Sequence, residues 1–142
     1  MSENVEQDAV LLADIQELLY NAVEKLYGES CAPQMAYADL ETACSYIEES
    51  WRDGRICIVG DFAILYDVGK MWYSDSLMIF EKLVIRFRKE VGNPVDDVVP
   101  VLESLRLKHK CVAIVTGDTQ RGLMRPVYTM AGYVPVGEQF FK

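Results

Sequence analysis

The last quarter of the chain places the tightest constraint on its fold. Residues 111–115 form a short apolar run, CVAIV, that is typical of a buried strand. A polar turn at 116–120 and a helix over 121–131 are predicted next, and Gly132 just past that helix is a common stop signal. A final strand is predicted over 134–141. A strand, a helix and a strand in succession indicate a sheet with helices packed against it.

The upstream chain is predicted to supply two helices followed by three strands. Apolar residues recur first at helical spacing, and β-rich runs then replace that pattern. The predicted elements cover residues 8–27, 37–51, 55–59, 62–66 and 77–87. Gly60 and Asp61 join the first two strands and are typical of a tight hairpin turn. Residues 71–73 are expected either to continue the sheet or to form a short bridging piece.

A further helix is predicted between the long strand 77–87 and the last quarter of the chain. Asn93 is a favourable N-cap residue, Pro94 suits the first helical position, and Asp96 and Asp97 complement the positive helix end. This helix is expected to run to about residue 108. It would connect two neighbouring strands as a parallel crossover.

The order of elements predicts a single α/β domain over residues 1–142. Its mixed sheet would combine an antiparallel N-terminal hairpin with a parallel central pair, and about four helices would flank that sheet. A chain of 142 residues with 51% apolar content has enough material for a full hydrophobic core.

The charge and cysteine content exclude several classes of partner and site. With a formal net charge of −8, the chain is not expected to bind nucleic acid or an anionic membrane, because both require a basic face. The four cysteines are scattered, and with a single histidine they predict no zinc site. Reduced thiols and the absence of a secretion signal at Met1 lead us to expect a cytoplasmic location.

The C-terminal helix and its ending carry a resemblance to a known family. Tyr128 lies four residues before Gly132, and the aromatic Tyr133 follows. A strand, a helix with Tyr-x-x-x-Gly-aromatic and a further strand resemble the C-terminal end of the GNAT superfamily of N-acetyltransferases. The order of elements resembles that fold over essentially the whole chain. The resemblance extends to short, divergent GNAT-like proteins encoded by tailed bacteriophages.

The resemblance implies a site for acetyl-CoA where the long strand and its parallel neighbour separate. In the family, a loop of the pattern Gln/Arg-x-x-Gly-x-Gly/Ala holds the pyrophosphate at a helix N-terminus. The matching positions here are Lys89, Gly92 and Pro94, and the proline lacks the N–H that the motif would use. Asp96 and Asp97 would also repel a pyrophosphate. Equally, the segment can be explained as a well-capped helix entered through a turn.

Several further residues would contact the cofactor if that site exists. The resemblance implies a backbone N–H of the long strand, near Val84 or Ile85, that polarises the thioester. Basic side chains before the helix would offset the charge of the aspartates. The complete set of candidate cofactor-binding residues is Val84, Ile85, Arg86, Arg88, Lys89, Gly92 and Asn93.

Two residues are candidates for proton transfer. In the family, the tyrosine at the position of Tyr128 protonates the departing CoA thiolate. Glu81 is an acidic residue within an apolar strand and could act as general base, with a raised pKa if its carboxylate points inward. Alternatively, Tyr128 is a half-buried packing residue, and Glu81 is a solvated charge beside Lys82.

Four other residues are interpreted as structural. His109 lies between two lysines at a predicted helix end, and we expect a surface residue that interacts with the helix dipole. Cys111 opens a buried strand and is expected in the core. Trp72 and Tyr73 are expected to pack in the core or at its rim, or to line an acceptor groove.

The sequence leaves two main functions open, and a third is an outside alternative. The first is transfer of acetyl from acetyl-CoA to a small-molecule amine, or to a lysine or N-terminus of a protein. The second is a GNAT-shaped structural or interaction protein, either a homo-oligomer or a component of a phage particle among virion proteins. A phage-encoded chain would act in the host cytoplasm or the virion. The third is a regulatory domain that binds CoA or another nucleotide without turnover.

Overall fold

The computed structural model of the chain describes residues 2–29, 36–88, 92–117, 124–137 and 142. Two helices are followed by three strands, and then by a helix, a strand and a last helix, in an α/β arrangement. Their bounds are α1 Ser2–Glu29, α2 Leu40–Arg52, β1 Ile56–Val59, β2 Phe62–Gly69, β3 Met78–Arg86, α3 Pro94–Lys108, β4 Ala113–Val115 and α4 Arg125–Met130.

The four strands form one mixed sheet in the order β1-β2-β3-β4. β1 and β2 pair antiparallel as the predicted hairpin, with Val59 opposite Phe62, and β2 pairs antiparallel with β3. β3 and β4 are parallel because α3 carries the chain from the end of one to the start of the other. The predicted α/β class, the mixed sheet and the four flanking helices are therefore confirmed.

Helices cover both faces of the sheet because β2 buries side chains on both sides. Ala63 and Leu65 point toward α1 and α2, where they pack with Leu19 and Ile47. Ile64, between them, points the opposite way, into a second cluster formed with α3 and α4. This alternation gives a sheet with one helical layer on each face. The α1/α2 layer comprises those two helices, and α3 and α4 form the other layer.

One irregularity in the β2–β3 pairing changes which side chains of β3 share a face. Leu65 is opposite Leu83, but the next residue, Tyr66, is opposite Glu81, so Lys82 is an extra residue in β3. This is a β-bulge, which interrupts the strict two-residue alternation of side chains. As a result, Glu81 lies with Tyr66 on the face that α3 covers.

The predicted final strand is wrong over its described part. Residues 134–137 form no strand, and residues 138–141 lie outside the described residues. Val134 and Val136 are 75% and 90% exposed, and Pro135 between them has no N–H to give to a sheet. Residues 71–73 do not continue the sheet either, because the Ser74 N–H donates to the Met71 carbonyl in a turn.

The interpretation of His109 as a surface residue also needs correction. His109 caps the C-terminus of α3, as expected from its position, but its side chain is half-buried. Its Nε2 lies 3.2 Å from the hydroxyl oxygen of the buried Tyr66. The side chain therefore links the end of α3 to β2. Cys111 is 4% exposed, so its assignment to the core is confirmed.

Adjacent leucines of α1 provide a test of this core. Leu19 is fully buried against the sheet, whereas Leu18 is 40% exposed. We expect Leu19→Ala to lower the free energy of unfolding by about 2–5 kcal/mol through lost burial and a cavity. Leu18→Ala, the matched control, should lower it by less than about 1 kcal/mol. Urea denaturation measures both, and equal losses would contradict the packing of α1 described here.

Candidate functional site

The pairing between the parallel strands β3 and β4 is short. β3 and β4 pair only between Met78–Phe80 and Ala113–Val115. β4 then ends, whereas β3 continues to Arg86. We call the region beside residues 81–86 of β3 and beyond Val115 the strand opening. The α3/α4 layer covers it on one face.

Glu81 lies at the start of the strand opening. The bulge at Lys82 turns the Glu81 side chain toward the α3/α4 layer, and one carboxylate oxygen accepts a hydrogen bond from the Gly117 N–H at 3.2 Å. Glu81 is half-buried. Lys82 instead approaches Asp67 at 3.9 Å and lies over the Phe80 ring. Glu81 is therefore held by the backbone that follows β4 and is not paired with its neighbour in sequence.

Tyr128 and Tyr133 form a stacked pair on the same face of the sheet. Tyr128 is 6% exposed and belongs to the cluster that contains Val84 of β3 and Leu102 of α3. The ring of Tyr133 lies 5.1 Å from that of Tyr128, at an interplanar angle of 32°. The two phenols therefore adjoin the part of β3 that passes the strand opening.

A glycine-based C-cap explains the spacing of this tyrosine pair. Gly132 has φ of +91°, which favours glycine, and its N–H donates to the Thr129 carbonyl. The Tyr133 N–H donates to the Tyr128 carbonyl at 2.9 Å, which closes the last turn of α4. Tyr-x-x-x-Gly-aromatic is thus also the pattern that this helix ending requires. The motif has a complete structural explanation independent of catalysis.

Two carboxylates influence the phenol of Tyr133. Burial raises the pKa of Tyr133, and the negative charges of Glu103 and Glu81 raise this pKa further. Glu103 comes from α3, where its side chain also pairs with Arg106. The phenol of Tyr133 is therefore close enough to Glu81 and Glu103 to be influenced by both carboxylates, and the Tyr128 ring lies beside it.

Val84 and Ile85 of β3 differ in the directions of their backbone N–H groups and their side chains. The Phe87 N–H donates to the Asp61 carbonyl on the β2 side, and N–H groups alternate along a strand. The Ile85 N–H therefore points toward β2, and the Val84 N–H points toward the strand opening. The Ile85 side chain is buried under the α1/α2 layer, whereas that of Val84 faces Tyr128 and its neighbours.

The N-terminus of α3 is closed by side chains of its own first turn. Oδ1 of Asn93 accepts a hydrogen bond from the Asp96 N–H at 3.0 Å, and Nδ2 of Asn93 donates to the Asp96 carboxylate at 2.8 Å. The Asp97 N–H donates to the Asn93 carbonyl. A Cβ on Gly92 would lie 1.9 Å from an Asp97 carboxylate oxygen, so this carboxylate packs directly against the loop. The Asp96 N–H, which has no partner within the helix itself, is therefore used by the Asn93 side chain, whereas the Asp97 bond is the ordinary first bond of the helix.

The basic candidates are occupied by other partners. Arg86 donates to the Gly92 carbonyl at 2.5 Å and lies over the Phe62 ring at 4.9 Å. Arg88 donates to the Gly60 carbonyl at 3.0 Å and pairs with the buried Asp61 at 3.3 Å. Lys89 lies outside the described residues. Both arginines thus stabilise the loops at this end of the sheet.

The structure brings Glu81, Val84 and Tyr128 together at the strand opening and keeps Gly92 and Asn93 in the α3 cap. Sequence reasoning missed Glu103 and the Gly117 N–H as parts of this arrangement. The adjacent charges of Glu81 and Lys82 within an apolar strand were the available signal. Strict alternation would send these two side chains to opposite faces, and the bulge decides which one faces the strand opening.

Comparison of the chain with protein-family models, curated protein sequences and solved structures found no match. Over the described parts of the chain, no helix has the length and apolar character that a membrane span requires.

The closed loop before α3 can be tested with a pair of glycine substitutions. Gly92 has φ of +102°, and an added Cβ would displace the Asp97 carboxylate. Gly92→Ala should therefore lower the free energy of unfolding by about 1–3 kcal/mol. At Gly117 an added Cβ meets no atom within 4 Å, so Gly117→Ala should change stability by less than about 0.5 kcal/mol. Thermal and urea unfolding measure both changes, and a neutral Gly92→Ala would contradict this loop geometry.

The raised pKa of Tyr133 predicts a loss of stability at alkaline pH. The folded protein binds this phenol proton more tightly than the unfolded chain does. Tyrosines of an unfolded chain have a pKa of about 10. The stabilisation is therefore complete below pH ~10 and is lost as the pH rises through the folded-state pKa. Tyr133→Phe should lessen the fall in urea midpoint between about pH 9 and pH 11. Tyr73→Phe, at an exposed side chain, is the control and should follow the wild type.

Proposed function

We propose that this chain is a GNAT-shaped interaction protein that does not hold acetyl-CoA. The observation that carries the proposal is the closed N-terminus of α3. A pyrophosphate bound there would need first-turn N–H groups and the positive end of the helix dipole. The Asn93 side chain already accepts a hydrogen bond from the Asp96 N–H, and Pro94 has no N–H to give.

The charges around this helix end add to the case. Asp96 and Asp97 lie in the first turn, where they stabilise the helix but repel an anion. Arg86 and Arg88, the nearest cations in sequence among the described residues, are bonded to loop carbonyls and to Asp61. A diphosphate would have to displace these contacts before it gained any of its own. These residues do not fit the pyrophosphate of acetyl-CoA.

The exposed surface supports an interaction role. Large apolar side chains are exposed at several positions. Trp72 is 94% exposed, and its ring lies perpendicular to the ring of Tyr73 in a T-shaped contact. Exposed aromatic residues are enriched at protein interfaces, where they contribute much of the binding energy. Partners consistent with this proposal are further copies of the chain and, for a phage-encoded protein, virion proteins.

N-acetyl transfer is the second candidate, and the strand opening favours it. Glu81, Tyr128 and the Val84 N–H meet there beside Tyr133 and Glu103. Under this alternative, Glu81 would accept a proton from an amine, and Tyr128 would donate one to the leaving group. The acidic groups would attract a cationic acceptor, either a small amine or a protein lysine or N-terminus.

Calorimetric titration with acetyl-CoA and with CoA separates these two functions. We expect no binding heat and no thermal shift up to millimolar ligand, at low and at moderate salt, because the α3 cap leaves no diphosphate site. Micromolar binding would overturn the interaction proposal. The matched variants for that outcome are Tyr128→Phe and Tyr46→Phe, since Tyr46 lies in α2 on the other face of the sheet. Loss of acetylation only in Tyr128→Phe would establish the enzyme.

A further inference from the structure

The charge of this chain is divided sharply between its two parts. Residues 1–54 contain 12 Asp and Glu but only 2 Lys and Arg, a net charge of −10. The remaining 88 residues contain 10 acidic and 12 basic residues, a net charge of +2, which completes the total of −8. Because residues 1–54 include all of α1 and α2, the division follows the sheet. The α1/α2 layer is acidic, and the rest of the protein is slightly basic.

Exposed side chains of the α1/α2 layer combine acidic and apolar groups. The exposed acidic residues include Asp14, Glu17, Glu24, Glu41, Glu48 and Glu49. Two apolar side chains lie on the same helices, Leu18 at 40% exposure and Tyr46 at 38%. The two helices are in contact; burial raises the pKa of the Cys44 thiol of α2, and the charge of Glu24 of α1 raises this pKa further. The acidic groups of both helices therefore belong to one surface.

A second, apolar surface lies at the end of the sheet where α3 finishes. Gly69 of β2, Met78 of β3 and Ala113 of β4 are in register, so the segments beside them lie at one end. The Val112 N–H donates to the Leu77 carbonyl at 2.9 Å, which fixes the α3–β4 turn against the start of β3. We call this surface the apolar end. Its exposed side chains are Trp72, Tyr73, Leu77, Leu107 and Val112.

Basic side chains surround the apolar end. Lys70 directly follows β2, and Lys108 and Lys110 lie at the C-terminus of α3, where the helix dipole favours cations. All three lysines are exposed, and Asp75 is an exposed acidic residue within the β2–β3 connection. The apolar end thus has an aromatic and aliphatic centre with a largely basic rim. That composition is typical of an interface for an acidic partner.

We propose that the apolar end of one copy docks on the acidic α1/α2 layer of a second copy. The layer offers the negative charge that Lys70, Lys108 and Lys110 would meet, and Leu18 and Tyr46 offer apolar contact for Trp72. Opposite charges on the two surfaces steer association and fix its orientation. This inference names a second copy of the chain as the partner in the interaction role proposed above, and it rests on that role.

The charges also select a head-to-tail arrangement. Two acidic layers facing each other would repel, and so would two basic rims. A contact between different surfaces of identical copies is heterologous, so it leaves an unused surface on each terminal copy. Such an interface builds a ring when its rotation closes and an open chain when it does not. Association should therefore continue beyond a dimer as concentration rises.

Two variants, each disabling one surface, test this arrangement. The end variant is Trp72→Ala with Tyr73→Ala, and the layer variant is Glu48→Lys with Glu49→Lys. We expect the wild type to form species larger than dimers at low salt, measured by light scattering and sedimentation velocity. Each variant alone should remain monomeric, with association weakened on the order of tenfold or more. An equimolar mixture should give a 1:1 complex, since each partner supplies the surface that the other lacks.

The alternative outcomes separate cleanly. A layer variant that still dimerises alone would show an interface between two apolar ends, and a dimeric end variant would show one between two acidic layers. Either result overturns the proposal, and so does a wild type that stays monomeric at about 100 μM. Circular dichroism and urea midpoints confirm that both variants are folded. Binding of CoA is measured separately by calorimetry. A failure to self-associate would therefore not change the conclusion that the chain does not bind CoA.

Discussion

The pairing of β2 with β3, including its bulge, is the constraint on which the rest of the structure depends. β2 buries side chains on both faces, and β3 connects it to the parallel strand β4. The extra residue at Lys82 decides that Glu81 points toward the α3/α4 layer while Leu83 packs under α1 and α2. Without the bulge, the residues of β3 on one side of position 82 would exchange faces. The strand opening would then lose its carboxylate.

The start of α3 shows how a stabilising feature can remove a binding site. Asn93 accepts from the Asp96 N–H, and the carboxylates of Asp96 and Asp97 complement the helix dipole. That N–H group and the dipole are what a helix N-terminus offers to a phosphate. A helix end that binds an anion leaves its donors available until the ligand arrives, whereas this end uses them within the chain. The cap and a diphosphate site are therefore competing uses of one set of atoms.

Local sequence signals predicted the parts of the fold that depend on neighbouring residues. The turn at Gly60 and Asp61, and the α3 start at Asn93 and Pro94, each depend on a few adjacent residues. The residues that needed tertiary information were not predictable in this way. The bulge at Lys82 arises from pairing with β2, and the burial of His109 arises from its contact with Tyr66.

The same distinction between local signals and tertiary contacts applies to the candidate site. Tyr128, Gly132 and Tyr133 were visible in the sequence because a helix ending has a short-range pattern, but that pattern does not identify a function. The apparent final strand failed for a related reason: the exposed residues Val134 and Val136 alternate as a strand would, but Pro135 cannot give an N–H to a neighbour. Glu103 joins the site only because α3 crosses the sheet, a contact that no local pattern in the sequence contains.

The two surfaces of functional interest lie at opposite ends of the sheet, so the protein can use them independently. The strand opening adjoins the end of β4 and the start of α3, whereas the apolar end adjoins the start of β4 and the end of α3. Leu77 of the apolar end directly precedes β3 and lies four positions before Glu81 of the strand opening, about 13 Å in an extended strand. Exposed charges that far apart interact weakly at physiological salt, where the screening length is about 8 Å. Docking at the apolar end therefore need not disturb Glu81 or Tyr128, and an assembled protein would keep its strand opening unchanged.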